Sequence, residues 1–140
     1  MIELTGLDDL NSLAIIGLSK NAGKTTSLNH LIRAWTEAKH ERALALTSVG
    51  RDGEAEDLVS GICKPRIYLT KGHLLATSVA SLKRCDTLID IRELSGIRSA
   101  LGEIVIGRSL SDGYVELAGP AVASELKQCE KLLRAEEPDC

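Results

Sequence analysis

AIIGLSKNAGKTTSLNHLI, from Ala14 to Ile32, changes character twice along its length. The apolar run Leu13 to Ile16 gives way to a polar turn that contains Gly17 and Gly23. Lys24, Thr25 and Thr26 follow, and a helical pattern then begins. Leu28, Leu31, Ile32 and Trp35 fall at i, i+3, i+4 and i+7 and form one stripe, while Asn29, Arg33 and Glu37 face the other way. The apolar run is short and unbroken, as expected of a strand buried on both faces. A loop between such a strand and a helix N-terminus is where backbone amides converge on an anion. Glycines let that backbone close around a phosphate with no Cβ in the way. On this reading Gly23 allows the close approach, Lys24 reaches the β- and γ-phosphates, and the Thr25 hydroxyl ligates Mg²⁺. The other reading is a chance Gly-Lys-Thr in a solvated turn. The apolar run before it and the amphipathic helix after it argue for the cradle.

The bulk composition is compatible with this. A chain of 140 residues fits one domain. A domain of that size buries about two-thirds of its unfolded surface, enough for a core without staples. Hydrophobic residues make up 44% and charged residues 26%, the balance of a globular protein. Aromatics are 2% with no Phe, so the core must be aliphatic. A net charge of −3 argues against a nucleic-acid partner and against a polybasic membrane anchor. No apolar run approaches the roughly 20 residues of a membrane span. The acidic opening MIELTGLDDLNS lacks the basic start of a signal peptide, so the expected location is the cytoplasm. Cys63, Cys85, Cys129 and Cys140 include no C-x-x-C pair, and His30, His40 and His73 are scattered. Free thiols in a reducing compartment follow.

Further along, Ala43 to Val49 reads as a second strand, completing a βαβ unit with a parallel pair. Gly50 to Glu54 reads as a turn and Glu56 to Ile62 as a short helix. Arg66 to Thr70 is expected as a strand, Thr77 to Arg84 as a helix and Thr87 to Ile91 as a strand. GEIVIGRS and GYVELAG suggest a hairpin through Ser111-Asp112-Gly113. Pro120 opens the last helix, with Val122, Leu126, Cys129 and Leu133 on one face and a Glu130–Arg134 pair on another. The fold class expected is α/β: a P-loop NTPase-like domain over residues 1–140, with a partly parallel sheet, a β-hairpin insertion and flanking helices.

Ligands in open α/β sheets bind at the carboxyl ends of strands. TSVGRDGE, after the second strand, therefore supplies candidates. Asp52 is a candidate Mg²⁺ ligand through water and a catalytic candidate beside Lys24, and Arg51 is a candidate for a phosphate or a partner. The same residues also fit a turn with exposed charges. A P-loop NTPase further needs an acid at the end of a buried strand. Asp90 in TLIDI follows only a short apolar run and also fits an ordinary strand residue facing solvent.

The loop SKNAGKTT departs from G-x-x-x-x-G-K-[ST], because Leu18 stands where the first glycine belongs and Gly17 precedes it. It resembles the loop of the dethiobiotin synthetase and cobyric acid synthase group of P-loop enzymes. Ser19 occupies the place of the signature lysine of the ParA/MinD type. The blocks IIGLSKNAGKTTSLNHLI, LTSVGRDGE, KPRIYLTKG, LLATS and GEIVIGRSLSDGYVELAGP, in that order, resemble the P-loop subunit of the reactivating factor for adenosylcobalamin-dependent lysine 5,6-aminomutase. The likeness spans about residues 13–126. It implies ATP and Mg²⁺ as cofactors, a MutS-related ATPase as partner, and a shared role in replacing damaged cobalamin on the aminomutase. Gly17, Asn21, Ala22, Gly23, Lys24, Thr25 and Thr26 fall in the resembling phosphate loop, and Arg51 and Asp52 in the second block. Family members carry a further strand ending in Asp-Gly, which this sequence lacks. A shortened form of the fold is therefore expected, and ATPase activity is left open. Two other readings stand beside this one: a ligase of the dethiobiotin synthetase type, and an interaction module with a vestigial loop.

Overall fold

The computed structural model describes residues 10–18, 23–39, 41–49 and 66–136. The expectations for Asn21, Ala22, Gly50 to Glu54 with Arg51 and Asp52, the 56–62 helix, Cys63 and Cys140 lie outside the described residues. The protein is mixed α/β, with a partly parallel sheet and flanking helices. It divides into two compact units, Met1–Glu41 and Arg42–Cys140.

In the first unit, helix α1 spans Lys24–Glu37. The stripe read from the sequence is its buried side: Ile32 is 1% exposed, Trp35 is also buried, and Leu28 and Leu31 are half-buried. Arg33 and Glu37 pair on the outer side at 2.8 Å. The strand expected at Leu13 to Ile16 is not formed. These residues join no ladder, and Leu13 and Ile16 are exposed, Ile16 at 83%. An apolar run of that length carries no period that distinguishes a paired strand from an irregular segment.

The second unit contains the sheets. Strands β1 (Ala45–Leu46), β3 (Leu74–Ser78), β4 (Ile89–Ser99) and β5 (Gly102–Ser109) form one sheet in the order β1-β3-β5-β4. β1 and β3 are its parallel pair, with Ala45 opposite Leu74 and Leu46 opposite Leu75. The other pairings are antiparallel. Strand β2 (Ile67–Leu69) and strand β6 (Gly113–Val115) make a two-stranded antiparallel ribbon. Tyr68 and Tyr114 stand opposite each other on its outer side, edge to face, with ring centroids 5.3 Å apart. Helix α2 (Val79–Leu82) follows β3, and helix α3 (Ala123–Glu136) covers one face of the larger sheet. The core there joins Leu74, Ala76, Ile104 and Ile106 to Cys129 and Leu133 of α3. It is aliphatic, as the composition requires. The Glu130–Arg134 pair forms as read, at 3.0 Å.

Several elements differ from those expected of the sequence, among them the strand expected at Thr87 to Ile91, which runs instead from Ile89 to Ser99, and the strand expected at Ala43 to Val49, of which Ala45 and Leu46 pair. The helix expected from Thr77 is shorter, because Thr77 and Ser78 complete β3 and the Ser78 hydroxyl caps α2 by accepting the Ser81 amide at 3.2 Å. The last helix starts at Ala123, and Pro120 is buried ahead of it. The hairpin expected between β5 and β6 does not form: β5 pairs with β4, and β6 pairs with β2. The turn between β5 and β6 is tied elsewhere. Ser111 Oγ accepts the Leu88 amide, Asp112 accepts the Lys71 amide, and Asp86 accepts the Tyr114 amide. These bonds carry the chain across to β2. A Cβ at Gly113 would lie 2.7 Å from the Asp86 carboxylate and 2.9 Å from Thr87 Cβ, so a larger residue there would push both aside.

Candidate functional site

Gly23 is the residue on which α1 begins. It sits at φ 87°, in the left-handed region, and a Cβ added to it would meet no heavy atom of the described residues within 4 Å. Its carbonyl accepts the Ser27 amide at 2.9 Å, the first turn of the helix. Among the described residues no side chain caps this end, and the first turn holds no acid. A helix start of this kind presents unpartnered N–H groups and the positive end of the dipole. Lys24 and Thr26 are exposed and Thr25 is half-buried. One cation and two hydroxyls thus share the first turn with the open amides. That set suits an anion with several oxygens, and the Thr25 hydroxyl suits a hard cation. Gly17 is half-buried, and Leu18 beside it is fully exposed.

The second set of candidates lies at the carboxyl end of β1, within the other unit. Thr47 and Ser48 are engaged internally. Thr47 donates to the Ala76 carbonyl at 3.0 Å, and Ser48 Oγ accepts the Gly119 amide at 3.0 Å. A Cβ at Gly119 would lie 1.9 Å from the Ser48 carbonyl oxygen, which makes glycine obligatory at this approach. Thr77 in turn donates to the Glu116 carbonyl and accepts the Ala118 amide, both at 2.9 Å. Ser78 N–H donates to the Ala118 carbonyl at 3.0 Å. The segment 116–120 is therefore a strap that ties the carboxyl ends of β1 and β3. This gives a structural account of the GYVELAGP block, whose role composition leaves open.

Asp90 does not stand at the end of a buried strand. It lies on edge strand β4, opposite Arg108, and pairs with Arg92 at 3.0 Å. Arg92 also binds Glu136 at 3.1 Å. The Asp90 hydrogen bond, with the one from Glu136, holds the Arg92 guanidinium above its ordinary value. Cys85 and Cys129 are free thiols. Burial pushes both upward, so neither is an activated nucleophile. Among the described residues, no group of three or more His, Cys, Asp or Glu could hold a metal ion. No helix among them is long and apolar enough to cross a membrane.

The sequence does not single out His73. Its ring is nearly buried, and Nδ1 accepts the Leu44 amide at 3.0 Å. Burial, and then the positive charge of Arg108, lower its pKa, while Asp112 raises it. A lone histidine beside a strand carries no pattern that would mark it. Comparison with protein-family models, with curated proteins and with solved structures found no match.

Proposed function

We propose that this chain binds a Mg²⁺-nucleotide, ATP in the first instance, as a P-loop protein. The observation that supports this best is the entry to α1: a left-handed glycine, uncapped amides, then Lys24 and Thr25 in the first turn. Glycine removes the steric bar, the amides and Lys24 supply donors and positive charge, and Thr25 supplies an oxygen to the cation. Gly17, Asn21, Ala22 and Thr26 complete the loop on this reading. Arg51 and Asp52 remain candidates from the sequence for a phosphate and for Mg²⁺ through water. The metal would neutralise phosphate charge, and the Thr25 hydroxyl would offer it an oxygen.

The resemblance of the sequence blocks extends the reading. On that basis the chain acts in the cytoplasm as an accessory subunit that helps reactivate an adenosylcobalamin-dependent aminomutase, with a MutS-related ATPase as partner.

Calorimetric titration with ATP and GTP, with and without Mg²⁺, tests the binding. The expected result is Mg²⁺-dependent affinity for ATP that Lys24→Ala lowers by tenfold or more, in line with the strength of a charge-assisted bond at about 1.4 kcal/mol or above. Equal affinity in the variant, or no binding in the parent chain, overturns the reading. The second outcome favours an interaction module with a vestigial loop. Ligation of a small carboxylic acid at the expense of ATP would favour the synthetase alternative.

A further inference from the structure

We infer that His73 is a pH-sensitive latch on the entering end of β1, holding that end in the sheet while the imidazole is neutral and releasing it when the ring takes up a second proton. The inference concerns the second unit alone and does not depend on nucleotide binding.

A backbone amide can only donate, so the bond from Leu44 N–H requires a lone pair on His73 Nδ1. The neutral ring therefore carries its proton on Nε2. A second proton removes the acceptor and sets two N–H groups against each other. The ring is buried, which leaves it little room to turn away, and the His73 backbone that carries it is fixed on both sides. Its amide donates to Ser109 Oγ at 3.1 Å, and its carbonyl accepts the Ser109 amide at 2.9 Å. Ser109 Oγ is itself anchored on the Thr70 carbonyl at 2.7 Å.

β1 is short, so the latch is a large part of its attachment. Only Ala45 and Leu46 enter the ladder with β3. At the entering end the Leu44 carbonyl accepts the Leu74 amide at 2.8 Å, and the Leu44 amide uses His73. At the far end Thr47 and Ser48 are held by Ala76 and Gly119, through groups that do not titrate. Acid should therefore loosen one end of the strand and spare the other.

The charged groups around the ring set the balance. Arg108, from β5, opposes the second proton, and its guanidinium is anchored on the Gly72 carbonyl at 2.9 Å. Asp112, from the turn after β5, favours the proton, but it also accepts the Lys71 amide at 2.8 Å. On the β1 side the charged residue nearest Leu44 in the chain is Arg42. Burial of the ring adds to the Arg108 effect, so the latch stays closed at neutral pH.

Amide hydrogen exchange followed by NMR between pH 7.5 and 5.0, corrected for intrinsic rates, tests the latch on the full chain. The Leu44 amide should lose protection by about tenfold or more as the His73 ring titrates, the loss expected when a partly buried donor is left without a partner. The Gly119 amide, bonded to Ser48, should stay protected over the same range. His73→Asn places a non-titrating oxygen near the Nδ1 position and should keep Leu44 protected at both pH values. Three results overturn the proposal: Leu44 protection unchanged while the ring titrates, a ring that stays neutral until global unfolding, or an Asn variant that loses Leu44 protection with the wild-type midpoint. If the Asn variant fails to fold, the first two results still decide it.

Discussion

The entry to α1 and the strap at the carboxyl end of β1 are both glycine-bearing turns, and they are built in opposite ways. At Gly23 no atom of the described residues lies within 4 Å of the missing side chain, and the glycine is required by its backbone angle. At Gly119 the space is filled by the Ser48 carbonyl, and the glycine is required by its neighbours. The first arrangement leaves donors uncommitted beside a cation. The second commits the Ser48 hydroxyl, the Glu116 and Ala118 carbonyls and the Ala118 and Gly119 amides. An open turn can receive something from outside, whereas a filled one fixes what is already there. The α1 entry is thus suited to an outside ligand and the strap to holding the sheet together.

Core truncation gives the largest expected difference between regions. Leu75→Ala, at a fully buried site in β3, should cost about 2–5 kcal/mol in urea unfolding. Ile16→Ala, at an 83% exposed site, should change stability by less than about 0.5 kcal/mol. A cost at Ile16 similar to that at Leu75 would break the contrast, because it would mean that the apolar run is packed.

The two glycines come next. Gly119→Ala should cost about 1–3 kcal/mol or more, as overpacking against backbone does. Gly23→Ala should cost about 1–2 kcal/mol, from left-handed strain alone. The two differ in kind as well as size. On the proposed function the Gly23 variant should also weaken nucleotide binding, whereas the Gly119 variant should act on unfolding. Urea midpoints and ATP titrations on both variants would sharpen or erase the distinction.

A pH series follows. The His73 pKa is lowered in the folded state, so the unfolded chain binds the extra proton more readily. This contribution to stability is complete above the unfolded value, about 6.5, and is lost as pH falls through the lower folded value. Unfolding midpoints at pH 7.5, 6.5 and 5.5 should decline, and the decline should be shallower in His73→Asn. The smallest effect is expected on the surface. Arg134→Ala, which breaks the exposed pair with Glu130, should cost about 0.3–0.5 kcal/mol.

The sequence is most legible where a period has length to repeat. The α1 stripe and the Cys129–Leu133 side of α3 are readable because several turns repeat the same face. β5 is readable end to end, because GEIVIGRS is apolar between clear turn residues. β3 is less so: in LLATS every residue is buried, so no alternation marks it, and its last two residues also fit a helix start. The β6 pairing is not legible, because the bonds that steer it run from Ser111 and Asp112 to residues far away in the chain. At the candidate site, Gly23 to Thr26 can be read from spacing and helix onset. Thr47 and Ser48 look available to a ligand, and only the structure shows their bonds to Ala76 and Gly119. His73 is set by packing between separated segments, which one sequence does not display.

The aromatic residues make the protein its own double label. The single tryptophan, Trp35, lies buried in the first unit, and both tyrosines form the edge-to-face pair in the second. Emission excited at the red edge, where only indole absorbs, therefore follows the first unit alone. The near-ultraviolet dichroism of the tyrosine couple follows the ribbon of the second. Recorded together during one denaturant or ATP titration, the two signals would show whether the units melt and respond as one body or as two, with no dye, tag or added residue.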